Sequence, residues 1–597
     1  MARLTVAPAI VVLGAGALPV AERIRARYQG ATIHALAGRA EGDVAFSELG
    51  AHLRALYARG NPVVALCAAG IVIRCVAPCL ADKGVEPPVL AVAEDGSAVV
   101  PLLGGLTGVN LLAREIAETL GIVPAITTSG ELRFGACVLN PPEGYALADI
   151  GAGKRFVSDL LAGASTRVDG AAPWLEGVAL PVDAAGSHAI RVTPRRAGGA
   201  GSGELLIHPR SVVVALAEGF AHRAASLAAP AQAADHEAGG DPLARRILDA
   251  LAAADLSPLA LAALVAPRQC MREAALARAA RELGVPLRFV ASEADPDTAD
   301  ALLDAALAAG SIDASPAVTL DDHGKPSTSL AIAIAEAPVD ANRLGQARGS
   351  LSVLGLGPGR ADLLAPAARL ALAEATDILG YATYVRMAGP FRADQRVHET
   401  DNREELQRAR HAFELAAQGR RVAMVSSGDP GVFAMAAAVL EALDGAGEPA
   451  WDEVALEVVP GVSAAFATAA EAGAPLGHDF CVISLSDNLK PWSVIEERLA
   501  LAARADLVMA FYNPISKARP WQLDRALEIL REIRAADTVV VLGRDVGRPG
   551  ASLRSLTLGE LRAADVDMRT MVIVGSSKTR RFASAEREWI YTPRFYD

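Results

Sequence analysis

At 597 residues the chain is too long for a single hydrophobic core and predicts about three to five domains. Apolar residues make up 52%, charged residues 21% and aromatics only 4%, a balance that excludes a disordered chain and suits an alanine-rich globular one. The net charge of -12 comes from acidic and basic residues interspersed along the sequence, which excludes a nucleic-acid stripe and a polybasic membrane patch, so neither is expected as a partner.

Residues 6–20 have the apolar density of a signal-peptide core, but Pro8, Gly14, Gly16 and Pro19 interrupt them and A-E-R-I-R-A-R-Y follows directly. A first strand (10–13), a turn and a helix (18–28) are expected instead. A strand over 32–36 and a helix over 47–57 continue a parallel α/β rhythm. Strands are predicted at 63–67, 71–78, 89–93 and 99–103, with a turn at Glu94-Asp95-Gly96 before the last. The pair Gly104-Gly105 then opens a helix over 106–120. No run reaches the ~18 apolar residues of a bilayer span. The cysteines Cys67, Cys75, Cys79, Cys137, Cys270 and Cys481 form no C-x-x-C pair and have no metal spacing with histidine. Reduced core thiols, no bound metal and a cytoplasmic location are expected.

Beyond residue 130 the pattern loosens around Pro141-Pro142 and the glycines of 198–203, with strands predicted at 205–208 and 212–216. Residues 224–240, rich in Ala with Pro, Gln and Gly, read as a linker. The order helix (243–253), strand (259–265), helix (272–283), strand (287–290) follows. It ends in the hairpin-like L-D-D-H-G-K-P-S-T-S-L-A-I-A-I-A, and residues 338–349 form a second linker. His323 in that turn is a candidate catalytic group, with a solvated loop histidine as the alternative.

Read as text, this half resembles the cobalt-precorrin-5A hydrolase (CbiG) family of cobalamin biosynthesis. The stretches that carry the resemblance are G-I-V-I-R at 70–74, A-D-K at 81–83, V-V-P-L-L-G-G-x-x-G-x-N at 99–110 and I-T-T at 126–128. It implies an N-terminal α/β domain (1–130), a middle region (131–215) and a C-terminal α/β domain (241–338) similar to the small free-standing protein CobE. Two departures stand out. Where the family carries histidine after the paired glycines, this chain has Leu106 and Thr107, and leucine can neither give nor take a proton. A-L-A-E-G after Val214 replaces the family's Gly-Val-Gly-Cys text. Two readings stay open: a lactone hydrolase that releases acetaldehyde, in a bifunctional enzyme acting on cobalt-precorrins, and a non-catalytic corrinoid-binding module.

In the C-terminal half, residues 351–354 read as a buried strand delivering Gly355-Leu356-Gly357-Pro358-Gly359. As a dinucleotide signal this is weak, because Pro358 stiffens the loop and no acidic residue follows a second strand about twenty residues on. Residues 422–425 read as another buried strand that breaks into S-S-G-D-P-G and resumes as a helix to Leu440. At such a turn glycines let backbone approach a ligand, and free amides at the helix start face outward.

Together with P-G-V-S-A at 460–464, F-Y-N-P at 511–514 and V-G-S-S-K-T-R at 574–580, this series resembles the tetrapyrrole methylases, which transfer a methyl group from S-adenosylmethionine. The resemblance covers about 349–597 and implies two subdomains, 349–459 and 460–597. D-N-R-E-E from 401, G-H-D-F-C-V-I-S-L-S-D from 477, G-R-D-V-G-R-P-G from 543 and Y-T-P-R from 591 are similar to the branch that methylates precorrin-3B at ring carbon 17 and contracts the macrocycle to precorrin-4. Ala365 replaces the family's usual threonine. The implied architecture is multidomain α/β, with CbiG-like domains followed by a methylase fold that forms a homodimer.

The resemblance implies a cofactor site on Pro358, Ser427, Gly428, Asp429, Val432, Ser463, Ala464 and Asn513, with Gly355, Gly357 and Gly359 as candidates for binding substrate. Ser463 has the alternative role of capping the next helix. A polycarboxylate substrate suits a basic rim of Arg544, Arg548, Lys578, Arg580 and Arg581. Ring contraction needs a base for a hydroxyl and an acid for a developing carbonyl. The candidates are His478, Asp479, Asp487, Lys490, Tyr381 and Tyr384. Each has a cap, a core hydroxyl or a solvated charge as its alternative, and none is assigned.

Overall fold

The computed structural model describes residues 7–28, 30–80, 86–196, 203–219, 241–291, 298–320, 329–389, 391, 394–401, 404–584 and 587–595. It divides into two compact units, Met1–Arg348 with Pro390–Asp394 and Gly349–Gly389 with Gln395–Asp597. The A-D-K stretch, the linker at 224–240, His323, and Asn402 and Arg403 of D-N-R-E-E lie outside the described residues.

Among the described residues the first unit holds three sheets. Six strands run in the order Val44–Phe46, Thr32–Leu36, Ala9–Val12, Val63–Leu66, Val89–Val92 and Val99–Leu103, parallel except for the last pair. Ala9–Val12, Val63–Leu66 and Val89–Val92 are buried at every position. Their unbroken apolar text follows from helices covering both faces. Leu18–Arg27 and Val109–Leu120 pack on one side, Leu49–Ala58 and Ala69–Val76 on the other. The strand expected at 71–78 is therefore a helix. Val72 and Val76 are buried while Ile71 and Ile73 are exposed, a spacing of four that the β-branched composition disguised. The helix expected from 106 begins at Val109, because Gly104 and Gly108 hold the loop before it at φ 83° and 101°.

The second sheet, in the order Tyr145–Leu147, Glu204–Pro209, His188–Val192, Thr166–Asp169, is backed by the helix Ile150–Leu161 through Phe156 and Leu160. The third has the order Leu287–Val290, Leu261–Pro267, Val212–Leu216, Leu330–Ala335, Ala314–Leu320. Its central strand, Val212–Leu216, precedes the linker that was expected to start this domain. The helices Pro242–Ala253 and Ala274–Leu283 cover one face, and Ala299–Gly310, which the sequence reading did not anticipate, covers the other.

The second unit has two larger sheets. One is wholly parallel, in the order Arg396–Thr400, Asp377–Tyr381, Arg421–Ser426, Ser350–Gly355, Ala455–Val459. The other is mixed, in the order Phe480–Ser484, Val508–Tyr512, Thr570–Val574, Val539–Arg544, Ser552–Thr557. Among the described residues no helix is long and apolar enough to cross a membrane.

Candidate active site

Because Asp377–Tyr381, Arg421–Ser426, Ser350–Gly355 and Ala455–Val459 lie side by side and parallel, the segments after them emerge at one edge, where open α/β sheets bind ligands. Register places Gly355 opposite Ser426 and Leu354 opposite Val459. The first two loops then pair with each other: Gly428 N–H donates to the Gly357 carbonyl at 2.8 Å and Gly357 N–H to that of Gly428 at 3.1 Å. Both glycines have positive φ, 68° and 70°. Asp429 ties in the third loop, its carboxylate accepting from Gly431 N–H at 2.8 Å and from Gly461 N–H at 3.1 Å. The approach is close enough that a Cβ on Gly355 would sit 2.6 Å from the Gly428 oxygen and 2.7 Å from the Gly461 nitrogen. Ser426 Oγ, buried at the end of its strand, has no hydrogen-bond partner among the described residues.

The mixed sheet of the same unit brings its own loops to this place. Phe480–Ser484 and Val508–Tyr512 are parallel, and two antiparallel steps return Val539–Arg544 in the same direction. Ser484, Asn513 and the loop after Arg544 therefore share an edge. Asn513, at φ 50°, donates from Nδ2 to Ser484 Oγ at 3.2 Å, and Arg519 holds its carbonyl at 2.9 Å. Tyr512 Oη accepts from Ala465 N–H at 3.2 Å, and its ring lies 5.4 Å from that of Phe433. Arg548 joins the two sets of loops: Nε donates to the Pro358 carbonyl at 3.0 Å and Nη2 to Ser427 Oγ at 2.9 Å.

Pro358, Ser427, Gly428, Asp429, Val432, Ala464 and Asn513 thus fall in or beside the three loops and the Asn513 turn. Ser463 Oγ caps the helix Ala464–Ala472, accepting from Phe466 N–H at 3.5 Å, so its alternative role is realised. Tyr381 and Tyr384 follow a strand of the same edge and meet edge to face at 5.4 Å. Burial pushes the Tyr384 phenol pKa up, although the Arg548 charge opposes it. Asp487 and Lys490 lie in the loop after Ser484. Asp487 accepts from Gln522 at 3.1 and 3.2 Å, and partial burial with Arg498 nearby holds the Lys490 ammonium below its usual pKa.

Other expected members are elsewhere. Asp479 and His478 precede Phe480–Ser484, and the Asp479 carbonyl accepts from Val508 N–H at the start of the neighbouring strand. A strand of this length, ~16 Å, separates them from Asn513. Thr570–Val574 runs opposite to Val508–Tyr512, so the residues after it also emerge at this far edge. Ser577 bonds Asp506 there, Lys578 is its neighbour, and Arg580 and Arg581 lie on the exposed strand Arg580–Ser584. The five cations do not form one rim: only Arg544 and Arg548 are at the loop edge. Arg544 is paired with Asp567 at 2.9 Å and Asp545 at 3.4 Å. Sequence reasoning missed two supports, the orphaned Ser426 and the buried Asp545, which sits at φ 50° and holds Arg569 at 2.6 Å. A serine ending an apolar run and an aspartate in a glycine turn carry no pattern that separates them from ordinary loop residues.

In the first unit, two motifs far apart in the text meet. Asn110 of the G-x-N stretch donates to Thr128 Oγ1 at 3.0 Å and to Glu131 Oε1 at 2.6 Å, and Glu131 in turn pairs with Arg114 at 2.7 Å. Asn110, Arg114 and Glu131 line a cavity of about 60 Å³ with Gly105, Cys137, Asn140 and Trp174. Thr107 turns its hydroxyl away, onto the carbonyls of Glu86 at 2.7 Å and Gly104 at 3.1 Å.

Residues 350–562 match the family profile of the tetrapyrrole (corrin/porphyrin) methylases, and residues 51–131 match the cobalamin synthesis G N-terminal profile. The chain is 53% identical over 249 residues to a precorrin-3B C(17)-methyltransferase of Sinorhizobium sp., which covers 42% of this chain and 97% of that protein. It is 46% identical over 285 residues to the cobalamin biosynthesis protein CobIJ of Mycobacterium tuberculosis, covering 47% of this chain and 54% of that one. A crystal structure of the methyltransferase CobJ aligns at 52% identity over 41% of this chain and the whole of its own, with a TM-score of 0.39. Through its C-terminal unit the chain belongs to the tetrapyrrole methylases.

Proposed function

We propose that the C-terminal unit methylates precorrin-3B at ring carbon 17 and contracts the ring to precorrin-4 in cobalamin biosynthesis, with S-adenosylmethionine as methyl donor. The observation that carries this reading is the convergence of three glycine loops on one sheet edge, tied by Asp429 and Arg548, in a chain that belongs to this family. The residues fit the cofactor. Among the described residues the buried Ser426 hydroxyl has no partner, the glycines let the three loop backbones close together where side chains would clash, and Asp429 keeps unused acceptor capacity beside its two amide bonds. When bound, the sulfonium supplies an electrophilic methyl group. The chain's own part is to orient and desolvate. The Ser427–Val432 loop, Ala464 and Asn513 would hold the cofactor's polar groups. Tyr381, Tyr384 and Lys490 would face the tetrapyrrole, with the Tyr384 phenol kept protonated by burial and so available as a proton or hydrogen-bond donor.

For the N-terminal unit we favour a non-catalytic corrinoid-binding module over a lactone hydrolase. Thr107 has its hydroxyl committed to backbone, Leu106 has no proton to move, and the Glu131 and Arg114 charges of the adjoining cavity are paired with each other, with Asn110 donating to Glu131. A cytoplasmic homodimer through the methylase unit completes the proposal. It is supported by the half-exposed Phe466, whose ring meets that of Phe480 edge to face, and is tested by light scattering. Incubating the intact protein with precorrin-3B and S-adenosylmethionine, followed by mass spectrometry and an aldehyde assay, tests the rest. Gain of one methyl without free acetaldehyde is the expected result. No methylated product refutes the methyltransferase reading, and acetaldehyde release refutes the module.

A further inference from the structure

We propose that Arg548 is a positioning residue, a latch that holds the Pro358 loop against the Ser427 loop and so pre-forms the cofactor cleft, rather than a binder of substrate carboxylates. The proposal rests on the cofactor reading above.

Its base is rigid. Arg548 N–H donates to the Asp545 carbonyl at 2.8 Å, and Asp545 is buried and paired with Arg544 and Arg569. From that base the guanidinium reaches residues 190 and 121 positions earlier in the chain, one bond to each loop. A planar fork with several fixed donors satisfies a carbonyl and a hydroxyl on separate loops at once, in one fixed geometry. The contact is also one of shape. A Cβ on Gly359 would lie 2.9 Å from Arg548 Cγ, and one on Gly547 2.8 Å from Pro358, so each loop presents a glycine to the other's bulky residue. Both glycines have positive φ, 131° and 85°. The Gly357–Gly428 bonds join the same two loops beside it, Gly357 one residue before Pro358 and Gly428 one residue after Ser427, so Arg548 adds a side-chain tie next to a backbone one.

Three variants separate the latch from a carboxylate contact: Arg548→Met, Arg548→Lys and Ser427→Ala, the last removing one end only. Amide exchange of 355–359 and 426–431 is measured in ligand-free full-length protein, and S-adenosylhomocysteine affinity by calorimetry. With tetrapyrrole turnover, the KM for each substrate is read separately. The latch predicts faster loop exchange and about tenfold or greater loss of S-adenosylhomocysteine affinity in Arg548→Met, as expected for charge-assisted hydrogen bonds. Ser427→Ala should lose less, lysine should fail to rescue, and the tetrapyrrole KM should barely change. Unchanged loop exchange in Arg548→Met, or a raised tetrapyrrole KM that lysine restores with cofactor affinity intact, overturns the proposal. If the wild-type protein itself fails to bind S-adenosylhomocysteine, the cofactor reading falls instead, and the ligand-free exchange still decides the latch.

Discussion

Gly355→Ala isolates how far the cleft depends on backbone contact. The φ of Gly355 is not positive, so alanine meets no intrinsic backbone penalty, and the whole effect comes from space. The new methyl would lie 2.6 Å from the Gly428 oxygen, 2.7 Å from the Gly461 nitrogen and 2.8 Å from the Gly461 Cα. Ordinary contact begins near 3.4 Å, so two loops must each withdraw by several tenths of an ångström, and neither is a flexible side-chain tip. Overpacking of this kind costs about 1–3 kcal/mol. For a unit of this size that corresponds to a fall in Tm of about 2–4 °C per kcal/mol. The functional cost is larger, because displacing positioning groups by ~1 Å is worth about a hundredfold in rate. Thermal unfolding monitored on the methylase unit, with S-adenosylhomocysteine titrated into wild type and variant, measures both. A variant that binds as tightly as wild type at an unchanged Tm would show that the three loops are not in the contact described and would remove the basis for placing the cofactor there.

Other outcomes follow from the same structure. Burial lowers the His34 pKa to about 4, with His52 at 2.8 Å adding to the effect, so His34 is neutral in the folded first unit. The unfolded chain binds more protons between pH 6.5 and about 4. Stability contributed by His34 is complete above pH 6.5 and declines as pH falls through that window, by about 3 kcal/mol in all. Hydrogen exchange of Thr32–Leu36 against pH should flatten over this range in His34→Gln. Arg534→Met removes the ion pair that the arginine makes with Asp506 at 2.7 Å, while Asp506 keeps its Ser577 bonds, and frees the carbonyls of Ala503, Leu507 and Gly575. A loss of about 1–3 kcal/mol is expected from the buried acceptors left unpaired, readable as a fall in the Tm of the second unit. Lys578→Ala and Arg580→Ala, at the far edge of the mixed sheet, should leave the tetrapyrrole KM unchanged, and a raised KM would restore the five-cation rim.

Much of this was legible in the sequence because strands buried on both faces spell unbroken apolar runs, and glycine loops at their ends spell the site. Val422–Val425 followed by S-S-G-D-P-G showed both features at once. What the text could not show was direction. Lys578 and Arg544 both lie in glycine-containing segments that follow apolar strands, yet they emerge at opposite edges because Thr570–Val574 and Val539–Arg544 run antiparallel. His478 and Asp479 misled for the same reason, since they precede their strand rather than follow it. The helix Ala69–Val76 was hidden by its β-branched residues, whose composition argues for a strand while their burial repeats every four. Arg548 was visible as a cation, but its bonds to Pro358 and Ser427 depend on pairings across 190 and 121 positions that no local pattern encodes.

The placement of Val212–Leu216 limits how this protein can be taken apart. That strand is hydrogen-bonded to Leu261–Pro267 on one side and to Leu330–Ala335 on the other, so it joins two halves of a sheet that otherwise do not touch. A fragment begun at the apparent linker, near residue 241, would keep every helix of that domain and lose its middle. Two bare strand edges, each lined by apolar residues, would then face each other across a missing strand, an invitation to self-association. A fragment begun before Val212 would keep the sheet closed. In this chain the boundary that composition marks and the boundary that hydrogen bonding allows differ by one strand.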